Sequence, residues 1–207
     1  LECKMKLHFV DLETSHLSHL KGEITEIAIV TTDLRNNTIS VYEKKVKLAN
    51  RVSANPKALE IGNYDDELWE KEGVWFADIA EEISLILKDG IFVAHNVYFD
   101  YSFVITQLSK YGFDKITYKR FDTKDLIFEH LYPHLGSTSM ASIRNFFNWS
   151  FKNSHTALKD AEDCRAIFFA LNKCSYLKRL YYIYRFKIRS YLLSSSIPTL
   201  QVLGLYF

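Results

Sequence analysis

Two carboxylates close the first apolar stretch of the chain, His8-Phe9-Val10-Asp11-Leu12-Glu13-Thr14. In an extended strand alternate residues share a face, so Asp11 and Glu13 point together while Leu12 turns back into the core. Like charges at that spacing repel, and the pair is costly unless a cation sits between them. A hard divalent ion such as Mg²⁺ or Mn²⁺, which takes oxygen ligands, meets that need. Asp-x-Glu alone is common on surfaces, so the reading depends on further ligands and a base. Asp100 stands in the first turn of a helix that follows the apolar run Ile91–Ala94, at the sheet edge where α/β folds place their sites. Alone it reads as a residue that complements the helix dipole. His155 and Asp160 lie where a loop enters a helix, and each alone reads as a surface group. Together, four carboxylates and one imidazole are what two-metal phosphodiester hydrolysis requires. Two cations about 3.5–4 Å apart hold the attacking water and the leaving 3′ oxygen in line. An imidazole titrating near neutrality takes the proton of the water.

The elements that position these residues follow from periodicity. Residues 5–11, 24–30 and 39–46 read as three consecutive strands joined by short turns, an antiparallel meander. Pro56 to Trp69 is irregular or in short helical turns. Phe76 to Leu87 has the helical period, Asp89-Gly90 closes it, and Ile91–Ala94 is a short buried strand. A helix from His95 to about Tyr111, a last strand over 117–121, and helices to Leu131, over Met140–Phe147 and over Thr156–Asn172 complete the pattern. The fold class is α/β with a mixed sheet.

The chain has 207 residues, ample for a buried core, and is rich in apolar and aromatic residues with 7 Gly and 3 Pro. Cys3, Cys164 and Cys174 are dispersed and show neither a zinc pattern nor a disulfide framework. With no leader and no apolar run able to cross a bilayer, the expectation is a cytoplasmic protein without a membrane span. The chain begins at Leu1, so its native start is not fixed by the sequence. The net charge of +1 is unevenly spread. Residues 173–207 hold six basic and no acidic side chains, which leaves 20 Lys and Arg against 25 Asp and Glu in the body. An acidic body suits a metal cradle, and a basic extension suits phosphate.

Three motifs in order resemble the DnaQ-like DEDDh 3′–5′ exonucleases, which include replicase proofreading subunits, RNase T and oligoribonuclease. Asp11-Leu12-Glu13-Thr14 matches D-x-E-T, His95-Asn96-Val97-Tyr98-Phe99-Asp100 matches H-N-x-x-F-D, and His155-Thr156-Ala157-Leu158-Lys159-Asp160-Ala161 matches H-x-A-x-x-D-A. Pro56–Glu60 and Asp122-Thr123 also resemble family elements, so the likeness covers about residues 5–173. It implies a ribonuclease H-like fold, a central mixed sheet of five strands flanked by helices. By the same resemblance Asp11, Glu13 and Asp160 hold one Mg²⁺ or Mn²⁺ ion and Asp11 with Asp100 the second, while His155 is the general base. Leu12, Thr14, Leu17, Asn96 and Phe99 are the implied substrate contacts, with Leu17 a wedge against the last bases and Phe99 packed beneath the site. The sequence departs from the family where Thr14-Ser15-His16 replaces T-T-G. Asp163, one helical turn beyond Asp160, reads as a solvated charge ahead of an outer-shell group, Asp122 as a helix N-cap, and His95 as ordering Asn96 and backbone. His8, His16, His19, His130 and His134 show no ligand spacing.

The division expected is an exonuclease domain over 1–173 and a basic, aromatic C-terminal extension over 174–207, a helix and then an irregular tail. Its tyrosines, interleaved with Lys and Arg, could stack on bases, but they read mainly as an aromatic face packed on the core with solvated cations. The function expected is a metal-dependent exonuclease acting on single-stranded DNA or RNA 3′ ends, DNA favoured, and releasing 5′-monophosphates. An RNA-trimming or oligoribonuclease-type enzyme is one alternative. A weakly active or inactive nucleic-acid-binding, replisome-associated module is another. The extension is also the place for a polymerase or other protein partner.

Overall fold

A computed structural model of the chain describes residues 5–132, 134–150, 155–172 and 175–194. Cys3, Lys173, Cys174 and the end of the extension, 195–207, lie outside the described residues. The meander expected from alternation is present as β1 (Lys6–Thr14), β2 (Ile24–Asp33) and β3 (Thr38–Lys45). Two short helices follow, α1 (Pro56–Ile61) and α2 (Asp66–Glu72), and then α3 (Phe76–Ile86), β4 (Ile91–Ala94) and α4 (Val97–Ser109). The last strand is β5 (Arg120–Asp122), followed by α5 (Thr123–His130), α6 (Met140–Phe147), α7 (Ala157–Leu171) and α8 (Tyr176–Ser194). The sheet order is β3-β2-β1-β4-β5. The β1–β2 and β2–β3 pairs are antiparallel, and the β1–β4 and β4–β5 pairs are parallel.

Alternation along β1 sorts two cores. Val10 and Leu12 face the layer made by α3 and α4, with Ile79, Ile83, Phe103 and Val104. Leu7 and Phe9 face the layer made by α5, α6 and α7, with Ile127, Ile143, Cys164, Ile167 and Phe168. Asp11 and Glu13 continue the Leu7–Phe9 line. Their isolation is a matter of register. The pairing with β4 ends at Phe9↔Val93 and β4 ends at Ala94, whereas β1 runs on beside β2 to Thr14. Beyond Val10 the open side of β1 therefore faces the start of α4.

The last strand begins three residues later than expected. Thr117 is drawn off the ladder, its hydroxyl donating to Gly90 O at 2.9 Å and its amide to Leu87 O at 2.8 Å. Helix α8 packs on the body through one face. Ile183 is 7 % exposed and joins the α5–α7 core. Phe186 meets Phe146 and Tyr182 meets Phe147, with ring centroids 5.0 and 5.3 Å apart. Tyr181, Tyr184 and Tyr191 stay exposed, so the helix divides its tyrosines between packing and solvent.

Candidate active site

Both helices that carry motif aspartates are capped from neighbouring strands. Asn96, in the left-handed region at φ +87°, places no side-chain cap on α4. Asp122 at the end of β5 does so, accepting from Asn96 N and Val97 N at 3.0 Å each. It also caps α5 through Lys124 N at 2.9 Å, the N-cap role expected for it. At α7, Thr156 makes no side-chain cap, and Glu26 of β2 accepts from Ala157 N at 3.2 Å. Each cap satisfies amides that a helix start leaves unpaired, and each anion lies at the positive end of the dipole.

These anchors bring the motif carboxylates to one edge of the sheet. Asp100 is 3 % exposed at the start of α4, and its carboxylate draws on the amide of Leu12. Ligand-capable atoms of Glu13, His155 and Asp160 lie within 4.8 Å of one another. Glu13 stands directly opposite Glu26 in the β1–β2 register, so a further buried carboxylate adjoins the group. The electrostatic consequence is large. Burial, together with the charges of Asp100, Asp160, Glu13 and Glu26, drives the Asp11 carboxyl well above its usual range. Burial beside Asp160 and Glu26 pushes Glu13 to about 8. Asp100 is driven up chiefly by burial, with Asp122 and Glu13 adding to it. Such crowding favours protons or cations as occupants of the cluster.

Asp160 is treated differently. Burial raises it, but the Arg144 guanidinium pulls it back. Arg144 Nη2 donates to Asp160 Oδ1, while Nε donates to Asp163 Oδ2 at 2.7 Å. Lys159 donates to the other oxygen of Asp163. Asp163 is 4 % exposed, which corrects the reading of it as solvated: it ties Arg144 and Lys159 together below the site. Arg144 and Glu26 were not singled out by motif or spacing, and Asp163 stood out only for lying one helical turn beyond Asp160. The available signal was the four-residue Lys159–Asp163 spacing, which places the two on one helical face.

His155 is exposed at the entry to α7 with φ +62°. Its carbonyl accepts from Asn63 Nδ2 at 3.1 Å. The neighbouring Gly62 packs against Glu13, and a Cβ there would lie 3.0 Å from Oε2 of that carboxylate. One turn thus touches both Glu13 and His155. His95 does not order Asn96 as expected. Its ring nitrogens meet Thr123 Oγ1 at 2.9 Å and Thr138 O at 2.7 Å, because it points across β4 towards α5. His8 is buried between Thr31 Oγ1 and Asp89 O.

The loop between β1 and β2 is shaped without the family glycine. Thr14 Oγ1 donates to His16 O at 3.0 Å, and Ser15 Oγ accepts from Glu23 N at 2.9 Å. Gly22 lets the loop close, since a Cβ there would meet His16 Cβ at 2.7 Å. His19 pairs with Thr106, and Gln107 donates to Gly22 O, which pins the loop to α4. Leu17 projects from it at 82 % exposure. Phe99 is half-buried with its ring 4.9 Å from that of Phe103, and Leu12 is buried in the same core.

Comparison with known proteins agrees with this geometry. A family model described as Exonuclease matches residues 9–168. The 3′–5′ exonuclease DinG of Staphylococcus haemolyticus is 30 % identical over 181 residues, covering 84 % of this chain and 19 % of the relative. The PolC-type DNA polymerase III of Caldanaerobacter subterraneus subsp. tengcongensis is 27 % identical over 175 residues, covering 81 % of this chain and 12 % of the relative. This chain therefore spans less than a fifth of the length of these relatives. The structure of Escherichia coli exonuclease I in complex with single-stranded DNA superposes with a TM-score of 0.70 at 18 % identity, over 92 % of this chain and 45 % of that one, and so shares the fold. With the motif residues gathered at the edge of a five-stranded mixed sheet, and the match running from β1 into α7, the chain belongs to the DnaQ-like exonuclease family and carries an exonuclease domain of ribonuclease H-like fold.

Proposed function

We propose that this domain hydrolyses single-stranded nucleic acid, DNA in preference to RNA, from the 3′ end and releases 5′-monophosphates. The observation that carries this reading is the convergence of Asp11, Glu13, Asp100 and Asp160 with His155 at one sheet edge. The preference for DNA is supported by a relative that is a DNA polymerase and a structural neighbour that is an exonuclease bound to single-stranded DNA.

The donor set fits hard divalent cations. The convergent groups are carboxylate oxygens and one imidazole, and their mutual repulsion is relieved in part by Arg144. Asp11, Glu13 and Asp160 would hold one Mg²⁺ or Mn²⁺ ion, and Asp11 with Asp100 a second. When bound, such ions supply positive charge to an in-line displacement at phosphorus. His155 takes a proton from the attacking water on an imidazole nitrogen. The water oxygen bonds to phosphorus, the bond from phosphorus to the 3′ oxygen breaks, and that oxygen takes a proton from solvent to leave a 3′ hydroxyl on the strand. The left-handed backbone of His155 and its Asn63 contact hold the imidazole on the Glu13–Asp160 side. Leu12, Thr14 and Phe99 form the floor for the terminal nucleotide, Asn96 lies at its edge, and Leu17 stands as a wedge against the penultimate base.

A time course on 5′-labelled single-stranded DNA and RNA of one sequence, with Mg²⁺, Mn²⁺ or EDTA, tests the proposal. A metal-dependent ladder shortening from the 3′ end is expected, faster on DNA. Faster shortening of RNA would reassign the substrate to the RNA-trimming class. Binding of both strands without cleavage of either would overturn the catalytic reading.

A further inference from the structure

Arg144 has no part in the reaction above, yet it is built into the carboxylate cluster. It projects from α6, is 2 % exposed, and splits its guanidinium between Asp163 and Asp160. Asp163 does not need it for neutrality, because Lys159 already pairs with that carboxylate. Burying a guanidinium is costly, and its planar fork is suited to holding two acceptors at fixed positions. Here the second acceptor is Oδ1 of a motif aspartate.

We propose that Arg144 is a resident cation of the site. It occupies Oδ1 of Asp160 permanently and leaves one oxygen of that carboxylate for a divalent ion. It also lowers the negative charge that draws such ions in. The metal-free cluster thereby keeps its shape, and its affinity for divalent cations is held below what four unpaired carboxylates would give. This inference rests on the metal-site reading above, and Arg144 acts through Asp160 as a positioning residue.

The test is calorimetric titration of Mn²⁺ into the chain, with melting curves in EDTA, for the wild type, Arg144→Lys, Arg144→Gln and Arg144→Met. Removing the charge in the Gln and Met variants should tighten Mn²⁺ binding at least about tenfold and lower the melting temperature in EDTA. Arg144→Lys, which keeps the charge, should bind within about threefold of wild type. Should Arg144→Met fail to fold in EDTA, Arg144→Gln retains donors for both carboxylates and carries the comparison. Folding of either only with Mn²⁺ present also supports the proposal. Unchanged or weaker Mn²⁺ binding in both Gln and Met variants would overturn it. Asp11→Asn separates the two layers of argument. If it abolishes Mn²⁺ binding while the Arg144 variants match wild type, the metal site stands and the Arg144 role falls. If it leaves binding unchanged, the metal-site reading itself falls.

Discussion

Without metal, the chain should become less stable as pH rises from about 6.5 to about 8. Glu13 ordinarily titrates near 4.5 and is pushed to about 8 in the fold, so over that interval the folded state holds a proton that the unfolded state has lost. Stability falls with pH wherever the folded state binds more protons. The lower bound of the window is set by His8 and His95, whose burial lowers their values from 6.5. They cost stability chiefly below that pH, and the remainder fades over about one unit above it as the unfolded imidazoles lose their protons. Over about 1.5 units, at about 1.4 kcal/mol per unit, Glu13 alone accounts for roughly 2 kcal/mol. Asp11 and Asp100, raised by burial and by their neighbours, act in the same direction. For a domain of this size that is a fall in melting temperature of about 4–8 °C. The assay is denaturant unfolding in EDTA at several pH values, for the wild type and Glu13→Gln. The variant should lose the Glu13 share of the slope, about 1.4 kcal/mol per unit, and be the more stable protein at pH 8. Saturating Mn²⁺ should flatten or invert the wild-type profile, because binding to the folded state replaces the missing protons. A flat profile in EDTA, or an identical slope in Glu13→Gln, would falsify the repulsion argument.

Three further outcomes follow from the assigned roles. Asp11→Ala and Asp160→Ala should each reduce hydrolysis of labelled single-stranded DNA to background, and retained turnover in either would remove it from the metal cradle. His155→Ala should lower kcat about 10²- to 10⁴-fold with strand binding within a few fold of wild type, and unchanged kcat would end its role as base. Combined Ala substitutions at Lys178, Arg185 and Lys187 on α8 should weaken strand binding and reduce its salt slope by about 2 if the helix grips phosphate. An unaltered slope would leave packing as the helix's contribution. Deleting the extension is the poorer experiment, because losing Ile183 alone removes about 2 kcal/mol of burial.

Much of this was legible in the chain because strands and motif helices obey local rules. Alternation in β1 placed Asp11 and Glu13 on one face, and the helical period placed α3, α4 and α7 within a few residues of their ends. Asp122 was readable as a cap because an Asp before a helix is a local signal, but its second service, at α4, depends on the β4–β5 register. Arg144 and Asp163 were opaque for a stronger reason. A charged residue on an amphipathic helix ordinarily faces solvent, and only the packing of α6 against α7 turns these two inward, where they satisfy one another. Glu26 was hidden by its strand: in a run of β-branched residues a lone Glu reads as an edge charge, whereas the Glu13↔Glu26 register buries it at the start of α7.

The double service of Asp122 bears on how variation in this protein should be interpreted. Its two oxygens are committed to three amides at the starts of α4 and α5, so it has little left to offer an ion or a nucleotide. Yet Asp100 hangs from the first turn that those bonds secure. A survey of variants scored by activity alone would rank Asp122 beside the motif residues and enlarge the apparent chemical centre by one member. A paired survey scored by abundance would move it to the other column, with the residues that hold the frame.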